Sequence, residues 1–200
     1  YRPLGDPTRF LGALVDLFGR AKEEGIDPAR LTHYAALVAA RATDEAEHDA
    51  SAALAEQAAA YSAYQLLLGR HGLIDHGDQL ALAGRLLAQR PQVRNEVVGR
   101  YRYLLVDEFQ DMNRAQVDLL FALTPADRNV TVVGDLDQAI YTFRGAATDN
   151  ARRFAQANPD LSRVVLRRNY RSRGPVINAA TRLIDHGPRP HIAGQDTTPI

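Results

Sequence analysis

Residues 103–111 read YLLVDEFQD, and this stretch decides the fold class. A short, continuous apolar run ends at Val106, which is typical of a strand buried in a parallel sheet. Asp107 and Glu108 follow at once. In open α/β sheets, ligands bind beyond the carboxyl ends of the strands. The stretch therefore predicts a strand that presents two carboxylates to a ligand.

The chain around this stretch alternates between strand and helix patterns. Two further β-rich runs, 129–133 and 163–166, predict a second and a third strand. Helical patterns separate or follow them, near 114–123, 146–157 and 175–185. Such alternation predicts an α/β fold with a parallel sheet and right-handed crossovers.

The first 100 residues have a helical pattern instead. Asp6-Pro7 and Asp27-Pro28 each predict a helix start, with an N-cap followed by a proline at the first helical position. An Ala-rich helix is expected over residues 44–68, and a fourth over about 79–89 that ends before Pro91. The sequence thus predicts an all-helical subdomain ahead of the sheet.

The composition excludes several functional classes. Cys is absent, so disulfides and Cys-ligated metal sites are excluded. No apolar run reaches the about 18 residues of a membrane span, so we expect a cytoplasmic protein. Basic and acidic residues number 24 each, which argues against nucleic-acid binding over the whole surface. Residues 142–182, however, hold nine arginines against two acidic residues, so one stretch is basic.

The carboxylates after the first strand match the Walker B pattern. Asp107 suits Mg²⁺ held between nucleotide phosphates, because Mg²⁺ prefers hard oxygen ligands and keeps several waters. Glu108 is placed to orient or deprotonate a water. The alternative interpretation is a pair of capping residues at a strand-to-helix turn. Gln138, after the second strand, is an amide that can contact a phosphate or a water.

Aromatic residues and an arginine follow Gln138. Tyr141 and Phe143 flank one residue, and Arg144 comes next. Stacking rings beside a cation are what single-stranded nucleic acid requires. Half-buried packing of two aromatics is the alternative. Near the third strand, Arg171 belongs to a group of arginines that can neutralise phosphate charge, or that form a solvated turn.

Three segments in this order resemble the UvrD/Rep/PcrA-type superfamily-one DNA helicases. They are VDEFQD (106–111), VVGDLDQAIYTFRGA (132–146) and NYRS (169–172). The resemblance implies a partial RecA-like P-loop NTPase sheet with an N-terminal all-helical subdomain. It also implies ATP and Mg²⁺ as cofactors, single-stranded DNA and duplex–single-strand junctions as partners, and 3′→5′ movement. In the segment 74–80, His76 and Gly77 depart from the acidic and aromatic stretch usual in the family.

The resemblance also implies a role for each matching residue. The catalytic set would be Asp107 as metal ligand, Glu108 as base, Gln138 as γ-phosphate sensor and Arg171 as arginine finger. Gln110 and Asp111 would lie near the nucleotide, and Tyr170 would stack on adenine. Tyr141, Phe143 and Arg144 would contact DNA.

One motif of the family is missing from these 200 residues. A P-loop requires a glycine-rich loop with a lysine, but the chain's one lysine, Lys22, lies in a helical, acidic context. We therefore expect an internal fragment that is inactive alone and depends on the remainder of the parent motor. Its parts would be a helical insert (1–100), the second half of the first RecA-like domain (101–162) and the start of the second (163–200).

Alternative functions stay open at this point. The parent would be a helicase–nuclease for double-strand breaks if a nuclease domain lies beyond the motor. The chain would instead be a non-catalytic DNA-binding module if its carboxylates serve only structure. A cluster of His71, Asp75, His76 and Asp78 has a spacing that fits no standard zinc pattern.

Overall fold

The computed structural model describes residues 7–124, 129–139 and 146–185. Within these ranges the helices are α1 (Pro7–Glu23), α2 (Pro28–Ala39), α3 (Glu45–Arg70), α4 (His76–Gln89), α5 (Pro91–Gly99), α6 (Arg114–Leu123), α7 (Ala146–Ala157) and α8 (Gly174–Asp185), and the strands are β1 (Leu104–Val106) and β2 (Val130–Val132). The chain divides into two compact units, residues 1–157 and 158–200. None of the described helices has both the length and the apolarity that crossing a membrane needs.

The two strands form a small parallel sheet, as the alternation predicts. Leu104 lies opposite Val130, and Val106 lies opposite Val132. The chain crosses from one strand to the other through α6, which matches the predicted helix over 114–123. The fold is therefore mixed α/β and mostly helical in the described residues.

A hydrophobic core fixes the helices around this sheet. Val117 and Leu120 of α6, Phe154 of α7 and Phe109 are buried together. The inward side chains of both strands pack against this cluster. The rings of Phe109 and Phe154 lie 5.3 Å apart between centroids. The core therefore holds the residues that follow β1 in a set position.

Side-chain caps explain where several helices begin. The Asp27 carboxylate accepts a hydrogen bond from the Arg30 N–H at 2.8 Å, and Pro28 opens α2 as predicted. Asp75 and Asn113 begin α4 and α6 with reciprocal capping boxes. Each such cap satisfies backbone N–H groups that the first helical turn leaves unpaired.

The structure corrects two of the predicted elements and adds one helix. The fourth helix begins at His76, three residues early, because Asp75 caps it. That helix ends at Gln89, before Pro91, as predicted, and Pro91 then opens a further helix, α5, since proline suits the first helical position. The strand predicted over 163–166 is absent from the described residues, and its three aliphatic side chains are exposed. An apolar run becomes a strand only when a neighbouring strand pairs with it.

A buried ionic cluster joins the first helices. The Lys22 Nζ on α1 lies 2.5 Å from Asp75 Oδ2 and 2.8 Å from Asp78 Oδ1. Tyr64 Oη donates a hydrogen bond to Asp75 at 3.0 Å, and Gln65 Nε2 donates one to Asp78 at 2.8 Å. In the described part of the chain, no group of three metal-ligating side chains could hold an ion. The acidic residues of segment 74–80 thus form ion pairs and caps.

Candidate active site

Asp107 and Glu108 lie at the carboxyl end of β1, and both side chains are exposed. Asp107 Oδ1 accepts the Glu108 N–H at 3.0 Å. Glu108 has φ 52° and ψ 43°, the one positive φ of a non-glycine residue in the described ranges. A left-handed conformation costs an ordinary residue about 1–2 kcal/mol, and such strain clusters at functional sites. The bend turns the chain into a 3₁₀ helix, Phe109–Asp111.

Gln110 joins the ends of the two strands. Its side chain is buried, and its Nε2 donates to Glu108 Oε2 at 2.7 Å. Its Oε1 accepts the Asp135 N–H at 3.0 Å. Both ends of the amide are therefore bonded within the protein, and the Glu108 carboxylate is restrained by one of them.

Gly134 makes this close approach of the strand ends possible. A Cβ atom there would lie 2.7 Å from Gln110 Oε1 and 3.4 Å from Phe109 Cβ. Real Cβ contacts are longer than the first of these distances. A larger residue after β2 would therefore displace the Gln110 amide from its hydrogen bonds.

Asp135 extends the connection to Gln138. Its Oδ2 accepts the Gln138 Nε2 at 2.7 Å, while its Oδ1 accepts the Asp137 N–H at 3.0 Å and caps a second 3₁₀ helix, Leu136–Gln138. Three hydrogen bonds therefore run from Glu108 through Gln110 and Asp135 to Gln138. We call Asp107 and these four residues the strand-end site.

The carboxylate oxygens of the strand-end site are suitable ligands for Mg²⁺ that is bound to a nucleotide. Asp107 offers an exposed carboxylate, the hard ligand that Mg²⁺ prefers. The described residues supply no set of three ligands that could hold an ion unaided. Mg²⁺ in nucleotide sites takes only one or two carboxylates and completes its shell with phosphates and waters. The arrangement suits that use.

Asn150 is a buried residue near the site, and none of the sequence motifs indicates it. It is 2% exposed, and its Nδ2 donates to the Met112 carbonyl at 2.9 Å. Phe154 lies one turn further along α7 and packs on Phe109. Its partner Met112 lies 38 positions away, so no local pattern in the sequence predicts the contact.

The remaining predicted site residues fall into two groups. Tyr141, Phe143 and Arg144 lie outside the described residues. Tyr170 and Arg171 are exposed in the unit 158–200. The Asn169 Oδ1 accepts the N–H groups of Arg171 and Ser172 at 2.9 Å each, and the Arg168 guanidinium lies 5.4 Å from the Tyr170 ring centroid.

Comparison with known families gives this geometry a context. The family described as UvrD/REP helicase N-terminal domain matches residues 7–159, which include both strands and the whole strand-end site. The chain belongs to the UvrD/REP helicase family. The resemblance to this family is thereby confirmed, and the match contains the first two quoted segments and ends before NYRS (169–172).

Several curated proteins are similar to the chain. The ATP-dependent DNA helicase PcrA of Staphylococcus aureus is 31% identical over 179 residues, 90% of this chain and 22% of that protein. PcrA of Leuconostoc citreum is 33% identical over 181 residues, again 90% of this chain and 22% of that protein. PcrA of Staphylococcus epidermidis is 36% identical over 129 residues, 64% of this chain and 18% of that protein. The chain thus spans about a fifth of the length of the curated relatives it matches.

Proposed function

We propose that the chain forms the Walker B part of an ATP-dependent DNA helicase with a RecA-like motor. The observation that carries the proposal is the strand-end site, in which paired parallel strands bring three carboxylates and two amides together at one edge. Membership of the UvrD/REP family and the names of the similar helicases support it.

The carboxylates would divide the hydrolysis chemistry between them. Mg²⁺, when bound, would supply positive charge that neutralises the charge developing on the phosphates. Asp107 would hold it through the water shell. Glu108 would orient the attacking water and accept its proton, with the Gln110 amide restraining one carboxylate oxygen.

Three further residues would act on the nucleotide. Gln138 would contact the γ-phosphate, with Asp135 orienting its amide beforehand. Tyr170 would stack on adenine. Arg171 would act as the arginine finger, an element typically worth about 10³–10⁵ in rate.

The DNA side of the proposal rests on the sequence. Tyr141 and Phe143 would stack on bases of single-stranded DNA, and Arg144 would link that site to the nucleotide. Alternating grip would move the motor 3′→5′ and open duplex–single-strand junctions, as DNA repair or replication requires. Such a motor needs both ATP and DNA, and in cells without a nucleus both are in the cytoplasm. We therefore expect it to act there.

The proposed organisation assigns a part of the motor to each stretch of the chain. Residues 1–100 would be the helical insert of the first motor domain, 101–162 its second half and 163–200 the opening of the second. A P-loop would come from outside these residues, since Lys22 is buried against two carboxylates. We therefore expect the 200-residue chain by itself to hydrolyse no ATP.

The test of this proposal is ATP turnover by the gene product that contains the chain, with and without oligothymidylate. We expect turnover that single-stranded DNA stimulates. Replacing both stacking rings, Tyr141→Ala with Phe143→Ala, should abolish the stimulation. A gene product that hydrolyses ATP at the same rate with and without DNA, or that hydrolyses none, would contradict the proposal.

A further inference from the structure

Asn150 joins α7 to the residues that hold the candidate base. Its buried Nδ2 donates to the Met112 carbonyl at 2.9 Å, and Phe154 on the same face of α7 packs on Phe109. Both contacts fall on residues 109–112, which we call the 109–112 turn. Gln110 lies within this turn and bonds to Glu108.

The acceptor on the turn is a backbone carbonyl, so the bond depends on where the turn lies. Asn150 is 2% exposed, so in the folded protein this buried carbonyl is paired with a side chain and not with bulk water. A shift of α7 would therefore either move the turn with it or break the bond. Because Gln110 lies in the turn, a movement of the turn would also displace Gln110 and change its hydrogen bond to Glu108.

The position of α7 in the chain connects this contact to DNA. The helix begins two residues after Arg144, the last of the candidate DNA-contacting residues. The segment that carries them starts just after Gln138, whose side chain Asp135 holds. That segment is thus joined at one end to the strand-end site and at the other to α7.

We propose that Asn150 is a positioning residue that couples DNA binding to ATP hydrolysis by fixing α7 on the 109–112 turn. The inference rests on the proposed function. A purely structural asparagine would stabilise the core and leave the response to DNA intact. A coupling asparagine would set how strongly DNA changes turnover.

The experiment compares three variants of the gene product that contains the chain. Asn150→Leu keeps the volume and removes the donor. Val117→Ala weakens the same buried core through α6 without touching the bond, and so controls for lost stability. Arg152→Leu changes an exposed residue of α7 and controls for the helix surface.

The readout is the ratio of ATP turnover with oligothymidylate to turnover without it. Asn150→Leu should lower this ratio about fivefold or more, the range of typical coupling between sites. Val117→Ala and Arg152→Leu should keep the wild-type ratio. An unchanged ratio for Asn150→Leu, or an equal fall for Val117→Ala, would overturn the proposal.

Hydrogen exchange supplies a second readout that needs no activity. The N–H groups of Phe109 and Asp111 donate to Val133 and Glu108. Asn150→Leu should make them exchange faster, and Arg152→Leu should not. Unchanged exchange would show that Asn150 does not hold the turn. If the wild-type protein lacks DNA-stimulated turnover, the proposed function fails, and exchange still decides whether Asn150 fixes the turn.

Discussion

At the scale of single residues, Lys22 is a charged side chain that is buried among the helices. Its ammonium is withdrawn from water, and two carboxylates replace the lost hydration. The ring centroids of Tyr61 and Tyr64 lie 5.9 Å and 5.2 Å from its Nζ. Aromatic faces attract a cation, so the cluster compensates the burial from several sides.

Removing the ammonium should therefore destabilise the chain strongly. Lys22→Met keeps the buried stem but leaves Asp75 and Asp78 without their cation, and breaking a buried pair costs about 3–5 kcal/mol. Arg100→Met breaks an exposed pair with Glu96 and should cost less than about 1 kcal/mol. Urea unfolding measures both. Equal effects of the two substitutions would contradict the role of the cluster.

Tyr64 makes the stability that this cluster contributes depend on pH in the alkaline range. Burial, and then its hydrogen bond to Asp75, raise the pKa of Tyr64 to about 12 from 10.0. A raised pKa means that the folded state binds the proton more tightly, so the contribution is present below pH 10 and is lost between pH 10 and about 12. Tyr64→Phe should lose less unfolding free energy than wild type across that window. Parallel pH profiles of unfolding would show that Tyr64 contributes nothing there.

Gln110 offers a residue-scale test of the strand-end site. Gln110→Met fills a similar volume but removes both hydrogen bonds, to Glu108 and to the Asp135 N–H. In the gene product we expect kcat for ATP to fall by about 10²-fold, because Glu108, the proposed base, loses its restraint while nucleotide contacts remain. KM should change little. A rise in KM at unchanged kcat would instead place Gln110 in contact with the nucleotide.

At the scale of elements, α4 shows how one helix accommodates the buried lysine. Gly77 lies in its first turn, where a Cβ would come 2.8 Å from Lys22 Cδ and 2.9 Å from Lys22 Cβ. Gly84 lies further along the same helix, where an added Cβ would meet no atom within 4 Å beyond the helix's own backbone. The glycine at residue 77 thus has a packing reason in this chain.

The same substitution in the same helix should therefore have opposite effects. Gly77→Ala forces Lys22 from its position and should cost about 1–3 kcal/mol. Gly84→Ala should stabilise by about 0.5–1 kcal/mol, because alanine loses less backbone entropy in a helix. Thermal or urea unfolding of the pair decides. If Gly77→Ala stabilises as much as Gly84→Ala, the close approach of Lys22 is wrong.

At the scale of the whole molecule, the sequence predicts those features of the fold that a few neighbouring residues determine. The bounds of α6 and the start of α2 were predictable, since Asn113 and Asp27 cap the first turns. The parallel pairing followed from the alternation of strands and helices. The run over 163–166 has the composition of a strand, but pairing is a property of a neighbour that composition does not encode.

The strand-end site likewise has residues that the sequence predicts and contacts that it does not. Asp107 and Glu108 were predictable because they are contiguous with a strand. Gln110 was placed near the nucleotide, but nothing in its neighbourhood predicts that both of its amide atoms bond within the protein. Asn150 meets Met112 across 38 positions, and a contact of that span has no signal in one sequence.

We propose that the strand-end site is the centre of ATP hydrolysis. Single-turnover kinetics of Glu108→Gln in the gene product, with single-stranded DNA present, test this most directly. Glutamine keeps the shape but cannot accept the proton, so the rate should fall by about 10²-fold or more while binding of the ATP stays intact. The exposed Glu96→Gln serves as the control and should keep the wild-type rate. A Glu108→Gln protein that hydrolyses ATP as fast as this control would contradict the account.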